Sequence, residues 1–578
     1  MPSSRVVLKE SSMDQPGIHI SLAEPTNCSL KSKHSVEKKP SIIVVVDNEP
    51  QDSSSSSNSS QTHLPLRYAR RVAELLWKFA KFTGPGAIIS VAYIDPDNYQ
   101  SDLTAGAKFE YKLLCAVAFS NLVAVFLQAL STKLGCVTGM DLAQMNRAHL
   151  HPWLNIALWI LAEGAIICTD IGQVFIFSLY PHPIIHTEIL LLIQVIGTAI
   201  ALNLLNPKIT LIAGCVISVS DTLFILLFYK PDGSVRRLRI FEMFISLFVV
   251  AIFIMFCIEL SFITAPANEV FKGLLPSKTI FVGQGLFQSC AILGGNIMPH
   301  TIYLGSGLVQ ARMRKFDHKN EKYHEARTSN ARFAIMLYRP TLSAIKSCMS
   351  YTIAELCITL FIVANFVNSA ILIVAAASLS EENQNADLPG MYQLFVDTIG
   401  QAAGTIFAVG LLFSGISAGI VATMAGQLIC EGAMDWRLSP FVRRLVTRCI
   451  SIVPAVVIAA AAGQRGLAKA LMVGNVVLSV SLIFVTAPLV WYTSAERFMR
   501  VGVEVGGNEV IDVGGVGGME RELRNADRGE NGEAEGGATV SLANGWVVTG
   551  VGWLLWFVVA GMNVALLTFL GLGIGGDD

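Results

Sequence analysis

The chain has 578 residues, 53% of them hydrophobic and only 15% charged, with a formal net charge of −1. With a mean hydropathy of +0.55 and apolar runs that repeatedly reach the roughly 20 residues needed to cross a bilayer, this is a polytopic membrane protein. No basic stripe suggests nucleic acid as a partner, and no nucleophile–base constellation or nucleotide loop suggests an enzyme. The eleven cysteines are scattered singly without a C-x-x-C pair, so Cys115, Cys215 and Cys257 read as buried thiols.

Residues 1–65 are polar and end in a serine-rich run, a composition that cannot bury enough apolar surface to order itself, and they read as a disordered cytosolic tail without a secretory signal. Residues 66–500 form the core, with spans expected at about 84–107, 112–134, 153–175, 207–229, 240–263, 283–309, 350–378, 398–428, 441–461 and 467–493. Residues 501–545 are Gly/Glu-rich and read as a flexible cytosolic connection to a terminal transmembrane helix at 546–573. Short cytoplasmic loops collect Lys and Arg. Arg67, Arg70, Arg71, Lys78 and Lys81, then Arg236, Arg237 and Arg239, then Arg312, Arg314 and Lys315, and finally Arg497 and Arg500 all fall on one side of this layout, which places the N-terminus in the cytosol.

Two of these spans are interrupted, the first by Asp95-Pro96-Asp97-Asn98 and the sixth by Gly294-Gly295-Asn296-Ile297-Met298-Pro299-His300. Hydrocarbon offers no water to freed backbone groups, so such a break is tolerated only where protein, a cavity or an ion meets them. A carboxylate in a break is costly and marks a functional candidate. The breaks occupy the same place in two successive groups of five spans, the pattern of an inverted-repeat secondary transporter with its substrate at the midplane. Asp95 offers a carboxylate and Asn98 a neutral amide oxygen. Gly294 and Gly295 are expected to loosen the helix and free a carbonyl near Gly295. On an apolar helix Met298 alone would be core filler; beside Pro299 and opposite an intramembrane Asp it reads as a ligand. A thioether among hard oxygens favours softer transition metals such as Mn²⁺ or Fe²⁺ over Ca²⁺ and Mg²⁺.

These motifs resemble those of the NRAMP family of proton-coupled divalent-metal transporters. The family's Asp-Pro-Gly-Asn and Met-Pro-His signatures stand at residues 95–98 and 298–300. Trp159-Ile-Leu-Ala-Glu163 with Thr169-Asp170, Gly197-Thr198-Ala199-Ile200-Ala201-Leu202, and Ser414-Gly415-Ile416-Ser417 with Ala425-Gly426-Gln427 match as well. The likeness covers roughly residues 65–500. It implies an all-α polytopic membrane protein with an inverted 5+5 broken-helix repeat of the LeuT-like kind plus an eleventh C-terminal span. It further implies movement of Mn²⁺ or Fe²⁺ with H⁺ into the cytosol by alternating access, across the plasma membrane or a vacuolar or endosomal membrane. Metal and proton are then cargo, and no cofactor is implied.

By the same resemblance Asp95, Asn98, Met298 and the carbonyl of Gly295 are metal ligands, and Asn475 stands where the family has a tenth-span Gln. Asp95, His300, Glu163 and Asp170 match positions associated with proton movement. Desolvation favours the protonated form of a carboxylic acid and a bound dication the ionised form, so an intramembrane Asp can exchange one for the other. His300 can carry protons or simply hydrogen-bond freed carbonyls, and Asp170 can pair with Arg443, Arg444 or Arg448 as a structural or gating bridge; the sequence leaves both questions open.

The chain also departs from the family pattern. Asp97 replaces a Gly, either as a substitution tolerated at unusual backbone angles or as a modifier of the metal shell. Gly305 and Gln173 stand where a second sixth-span His and a third-span Glu are common, which supports metal binding better than tight proton coupling. Two other readings stay open: a non-transporting metal sensor or inactive relative, and a Na⁺-coupled small-solute transporter of the same fold. Removing residues 174–194 joins Asp170-Ile-Gly-Gln173 to Val195-Ile-Gly-Thr198 and restores a family-like third span, so this segment reads as a retained intron or gene-model error. Sequencing of abundant mature transcripts is expected to find the segment spliced out, and continuous reading through it overturns that view.

Overall fold

In a computed structural model the described residues are 89–90, 92–170, 194–210, 213, 217, 235–320, 338–378, 388–398, 400–434, 472–502 and 539–572. The N-terminal tail, residues 174–193 of the atypical segment, most of the expected span at 207–229 and all of that at 441–461 lie outside them.

Helices α1 (Pro96–Phe109) and α2 (Leu114–Thr138) are joined by a 3-10 turn, Glu110–Leu113. Together they make a 43-residue apolar stretch, about twice what a bilayer needs. The chain turns at Glu110, whose φ is +53°, so the stretch supplies two expected spans. After α3 (Leu142–His149) come α4 (Pro152–Asp170), α5 (Gln194–Leu205), α6 (Val235–Ser261) and α7 (Ala267–Gly273). The sixth expected span is α8 (Gly283–Asn296) plus α9 (Pro299–Lys319), entered through a 114° bend after Phe281. The seventh is α10 (Leu342–Thr359) and α11 (Asn365–Ser378), joined by a π-helical stretch at Leu360–Ala364. Then follow α12 (Leu388–Thr398), α13 (Gln401–Met434), α14 (Met472–Ser494) and α15 (Trp546–Gly571). Among the described residues five stretches are long and apolar enough to cross a membrane, or six with the bent pair.

Helix α1 packs against α11 and α8, α2 against α9 and α8, and α13 against α5, α9, α12 and α6. Lipid tails are as apolar as the protein interior, so polarity alone does not say which side of a span faces inward. Helix α6 shows the consequence: Val249, Ile252, Phe256 and Glu259 are buried, whereas Leu247, Val250, Ile254 and Ile258 are exposed at helical spacing. Cys257 lies on the exposed side and Cys115 is half-buried, which corrects the reading of both as buried thiols; Cys215 lies outside the described residues.

Part of the expected flexible connection is ordered. β1 (Arg500–Gly502) pairs antiparallel with β2 (Thr539–Ser541), and Leu542 and Asn544 donate backbone bonds to Met499 and Thr493. Lys133 then donates to the Asn544 side chain at 2.7 Å. These bonds clasp the two ends of residues 503–538, which the Gly-rich composition alone did not foretell. α15 is anchored by Trp556 Nε1 on the Ile483 carbonyl at 2.8 Å and Asn563 Nδ2 on the Ser479 carbonyl at 3.2 Å.

Between the second and third spans α3 is closed by a capping box: Asp141 Oδ1 accepts from the Gln144 amide at 2.9 Å, and Gln144 Oε1 accepts from the Asp141 amide at 2.9 Å. Burial pushes the Asp141 carboxyl up to about 7 against the lowering pull of the Gln144 and Ala143 amides, with Glu431 adding repulsion. The folded chain therefore holds this proton more tightly than the unfolded chain. Stability from the group is complete below the ordinary carboxylate value of 3.8 and is lost as the pH rises through about 7. Asp141→Asn keeps a competent cap. The thermal midpoint in detergent is expected to fall between about pH 4 and 7 in the parent and to vary less in the variant, by a few degrees at most.

Candidate metal centre

The first break falls at Tyr93–Asp95 and the second at Ile297–Met298. Pro96 and Pro299 each begin the helix that follows, a position where their missing N–H costs nothing. Asp95 caps α1 with extended backbone, φ −119° and ψ 167°, and its Oδ1 accepts from the Asn98 amide at 2.9 Å. The carbonyls released by unwinding are answered by side chains. Tyr93 O accepts from Asn98 Nδ2 at 3.0 Å and from Asn368 Nδ2 at 3.4 Å, and Ile94 O accepts from Ser414 Oγ at 2.7 Å. Across the second break Thr301 Oγ1 donates to Met298 O at 2.8 Å. The Gly295 carbonyl would find its helical donor at residue 299, which is proline and has no N–H.

Side chains tie the two breaks together. Asn368 Nδ2 also donates to Asn296 Oδ1 at 2.8 Å, and Asn296 Nδ2 donates to Ser120 Oγ at 2.6 Å. On another side Gln128 Nε2 bridges the Tyr93 hydroxyl at 2.8 Å and Thr301 Oγ1 at 3.1 Å. Asn368, Ser414, Gln128, Thr301 and Asn296 escaped the sequence reading as site residues; the available signal was their polarity inside apolar spans.

Asp95, Asn98 and Asn475 are each fully buried, and Asp95 Oδ2, Asn98 Oδ1 and Asn475 Oδ1 have no hydrogen-bond partner. Asn475 is oriented by its own amide, whose Nδ2 donates to Asp97 O at 3.1 Å and Ser101 Oγ at 3.4 Å. Gly294 and Gly295 do not loosen the helix as expected, since both lie inside α8. They allow close approach instead. A Cβ on Gly295 would stand 2.3 Å from Asn98 Oδ1 and 3.1 Å from Asn475 Nδ2, and one on Gly294 would stand 1.8 Å from the Asn475 carbonyl oxygen. The first, sixth and tenth spans therefore meet at this glycine pair, beside the buried Met298.

Asp97 occupies the first turn of α1 in ordinary helical geometry, so no unusual backbone angle is asked of it. An acidic residue there complements the helix dipole, and its carbonyl serves Asn475. His300 is buried in the first turn of α9. Glu163 accepts from the Cys430 thiol of α13, and Trp159 Nε1 donates to Cys430 Sγ at 3.4 Å. The side chain of Asp170 and residues Gln173, Arg443, Arg444 and Arg448 lie outside the described residues. The space beside Gly305 is taken by side-chain ends: a Cβ there would stand 2.3 Å from Gln128 Oε1 and 2.9 Å from Ser131 Oγ, so a larger residue would require Gln128 to move.

Among the described residues no group of three or more His, Cys, Asp or Glu side chains converges to hold a metal ion. A dication at the glycine pair would instead meet a carboxylate and neutral oxygens. Fewer charged ligands give weaker retention, which suits cargo that must be released.

Paired broken helices with unpartnered oxygens between them define a membrane transporter of the inverted broken-helix class. Residues 86–513 match the natural resistance-associated macrophage protein-like family, and the chain belongs to that family. It is 39% identical to the manganese transporter SMF1 of Saccharomyces cerevisiae over 93% of this chain and 94% of that one. It is 44% identical to the iron transporter SMF3 of the same yeast over 76% and 86%. The solved structure of the Eremococcus coleocola manganese transporter superposes with a TM-score of 0.62 at 28% identity, covering 84% of this chain and 86% of that one.

Gly294→Ala is expected to push the Asn475 backbone out of register and weaken Mn²⁺ binding by about tenfold or more while the helical content holds; isothermal titration on purified protein checks this.

Proposed function

We propose that this chain carries Mn²⁺ or Fe²⁺ into the cytosol, from outside the cell or from a vacuolar or endosomal lumen, by alternating access coupled to protons, with its N-terminus cytosolic. The observation that carries this reading is the set of three unpartnered, fully buried oxygens on Asp95, Asn98 and Asn475 at the meeting of three spans. A polar atom buried without a partner is costly, and where three such oxygens lie at the contact of three spans a cation can supply the missing partner. Asp95 Oδ2, Asn98 Oδ1, the Gly295 carbonyl, the Met298 thioether and Asn475 Oδ1 supply the ligands. One sulfur among oxygens selects a transition metal over Ca²⁺.

Asp95 exchanges a proton for metal at the site, and His300, Glu163 and Asp170 carry the proton onward. The buried Asp97 carboxyl, two residues from Asp95, modifies the field at the metal. Coupling runs without the second sixth-span histidine, because Gln128 and Ser131 fill the space beside Gly305.

Uptake of Mn²⁺ by cells expressing the chain, with and without residues 174–194, across an imposed pH gradient tests this directly. Asp95→Ala is expected to lower uptake at least about a hundredfold, and excess Ca²⁺ to compete poorly. Binding of Mn²⁺ without flux in either form sinks the transporter reading in favour of a sensor.

A further inference from the structure

Two buried carboxyl groups outside the site described above, Asp102 and Glu259, have no hydrogen-bond partner on either oxygen. Asp102 lies on α1, seven residues beyond Asp95 and so ~10 Å further along the helix axis. It is fully buried, and neither Oδ1 nor Oδ2 has a hydrogen-bond partner. Glu259 lies two residues before the end of α6; it is 1% exposed, and both of its carboxyl oxygens are likewise unpartnered.

Glu259 continues the inward stripe of Ile252 and Phe256 on α6, and the Phe256 ring meets Tyr99 of α1 edge-on with centroids 5.3 Å apart. The Tyr99 hydroxyl is buried and is itself unpartnered. The titratable groups facing them are few. Asp95 lies within electrostatic range of Asp102, and the Tyr99 phenol lies within range of both Glu259 and Asp95. No cation faces either carboxyl among the described residues. With the N-terminus cytosolic, α1 runs outward from its break and α6 ends near the outer face, so both carboxyls sit on the outer side of the metal site.

We infer that Asp102 and Glu259 are proton-carrying groups of the transport cycle, loaded from the outer side and discharged when the bundle rearranges. A carboxylate taken wholly out of water with neither cation nor donor is strongly disfavoured, so each group is enclosed as the neutral acid. Water returning to the pocket stabilises the anion, and the O–H proton passes to that water; one proton is taken up and one released per carboxyl, with no other bond changed. The chain thus holds titratable groups in its outer half while Gln173 and Gly305 stand where the family has Glu and His. This rests on the proton-coupled reading above.

The test is the ratio of protons to Mn²⁺ taken up together, recorded with an intracellular pH reporter and ⁵⁴Mn²⁺ in the same cells. A ratio is independent of how much protein reaches the membrane. Asp102→Asn and Glu259→Gln are each expected to lower it by about threefold or more and to flatten the rise in uptake between about pH 7.5 and 5.5 outside. Asp102→Glu and Glu259→Asp keep a carboxyl and are expected to keep the parental ratio. Parental ratios in both amide variants overturn the inference while leaving proton coupling intact, as does an equal loss in amide and carboxyl variants, which marks a packing role. A parent chain that moves Mn²⁺ with no accompanying protons overturns the coupled reading and this inference together.

Discussion

The structure depends on answering backbone groups that two helix breaks release inside an apolar bundle. An unpaired carbonyl in hydrocarbon costs several kcal/mol, so the breaks at Tyr93–Asp95 and Ile297–Met298 persist because side chains, from other spans and from the helix after each break, supply donors. Ser414 covers the Ile94 carbonyl, Asn368 and Asn98 cover Tyr93, and Thr301 covers Met298. Asn368, one of these donors, also locks the first and sixth spans to each other, as Gln128 does through the Tyr93 hydroxyl and Thr301. Asp95 Oδ2, Asn98 Oδ1 and Asn475 Oδ1 are among the buried oxygens that remain unanswered, and on the proposed reading a cation answers them.

The glycine pair in the sixth span makes this geometry compact. Helix association in a membrane has little hydrophobic drive, and small residues let backbones approach. At Gly294 the tenth-span backbone takes the space a methyl group would need, and at Gly295 the Asn98 and Asn475 side chains take it. On the proposed reading, metal binding and helix packing share the same atoms. A change meant to alter one alters the other, which is why a thermodynamic binding measurement is more telling here than flux alone.

The polar inventory differs between the two sides of the site. Toward the cytosolic side, on the orientation proposed here, lie Glu163 against Cys430 and the capped loop at Asp141. Toward the outer side lie Asp102, Tyr99 and Glu259, enclosed and without partners. Carboxyl groups that can be loaded on one side and emptied toward the other give a rocking bundle its direction, since the protonated forms favour enclosure and the ionised forms favour the wetted states.

Hydropathy alone determined that the chain spans a membrane repeatedly, and the placement of Pro96 and Pro299 inside apolar segments determined where two spans break. Both signals are local: a proline removes its own donor and an apolar run declares itself within about 20 residues. A short motif or a family likeness singled out Asp95, Asn98, Gly295, Met298 and Asn475, all of them in or beside the contact of the first, sixth and tenth spans. Tertiary structure decided the rest. That Gly294 and Gly295 serve contact and not unwinding, that Asp97 sits in regular helix, that Cys257 faces outward, and that the Gln128 and Ser131 side chains occupy the space beside Gly305 all depend on which spans cross and how closely. The donors for the freed carbonyls come from as far away in sequence as Ser414, 320 residues from Ile94. No local pattern encodes a partner at that distance, because the pairing exists only once the helices have packed.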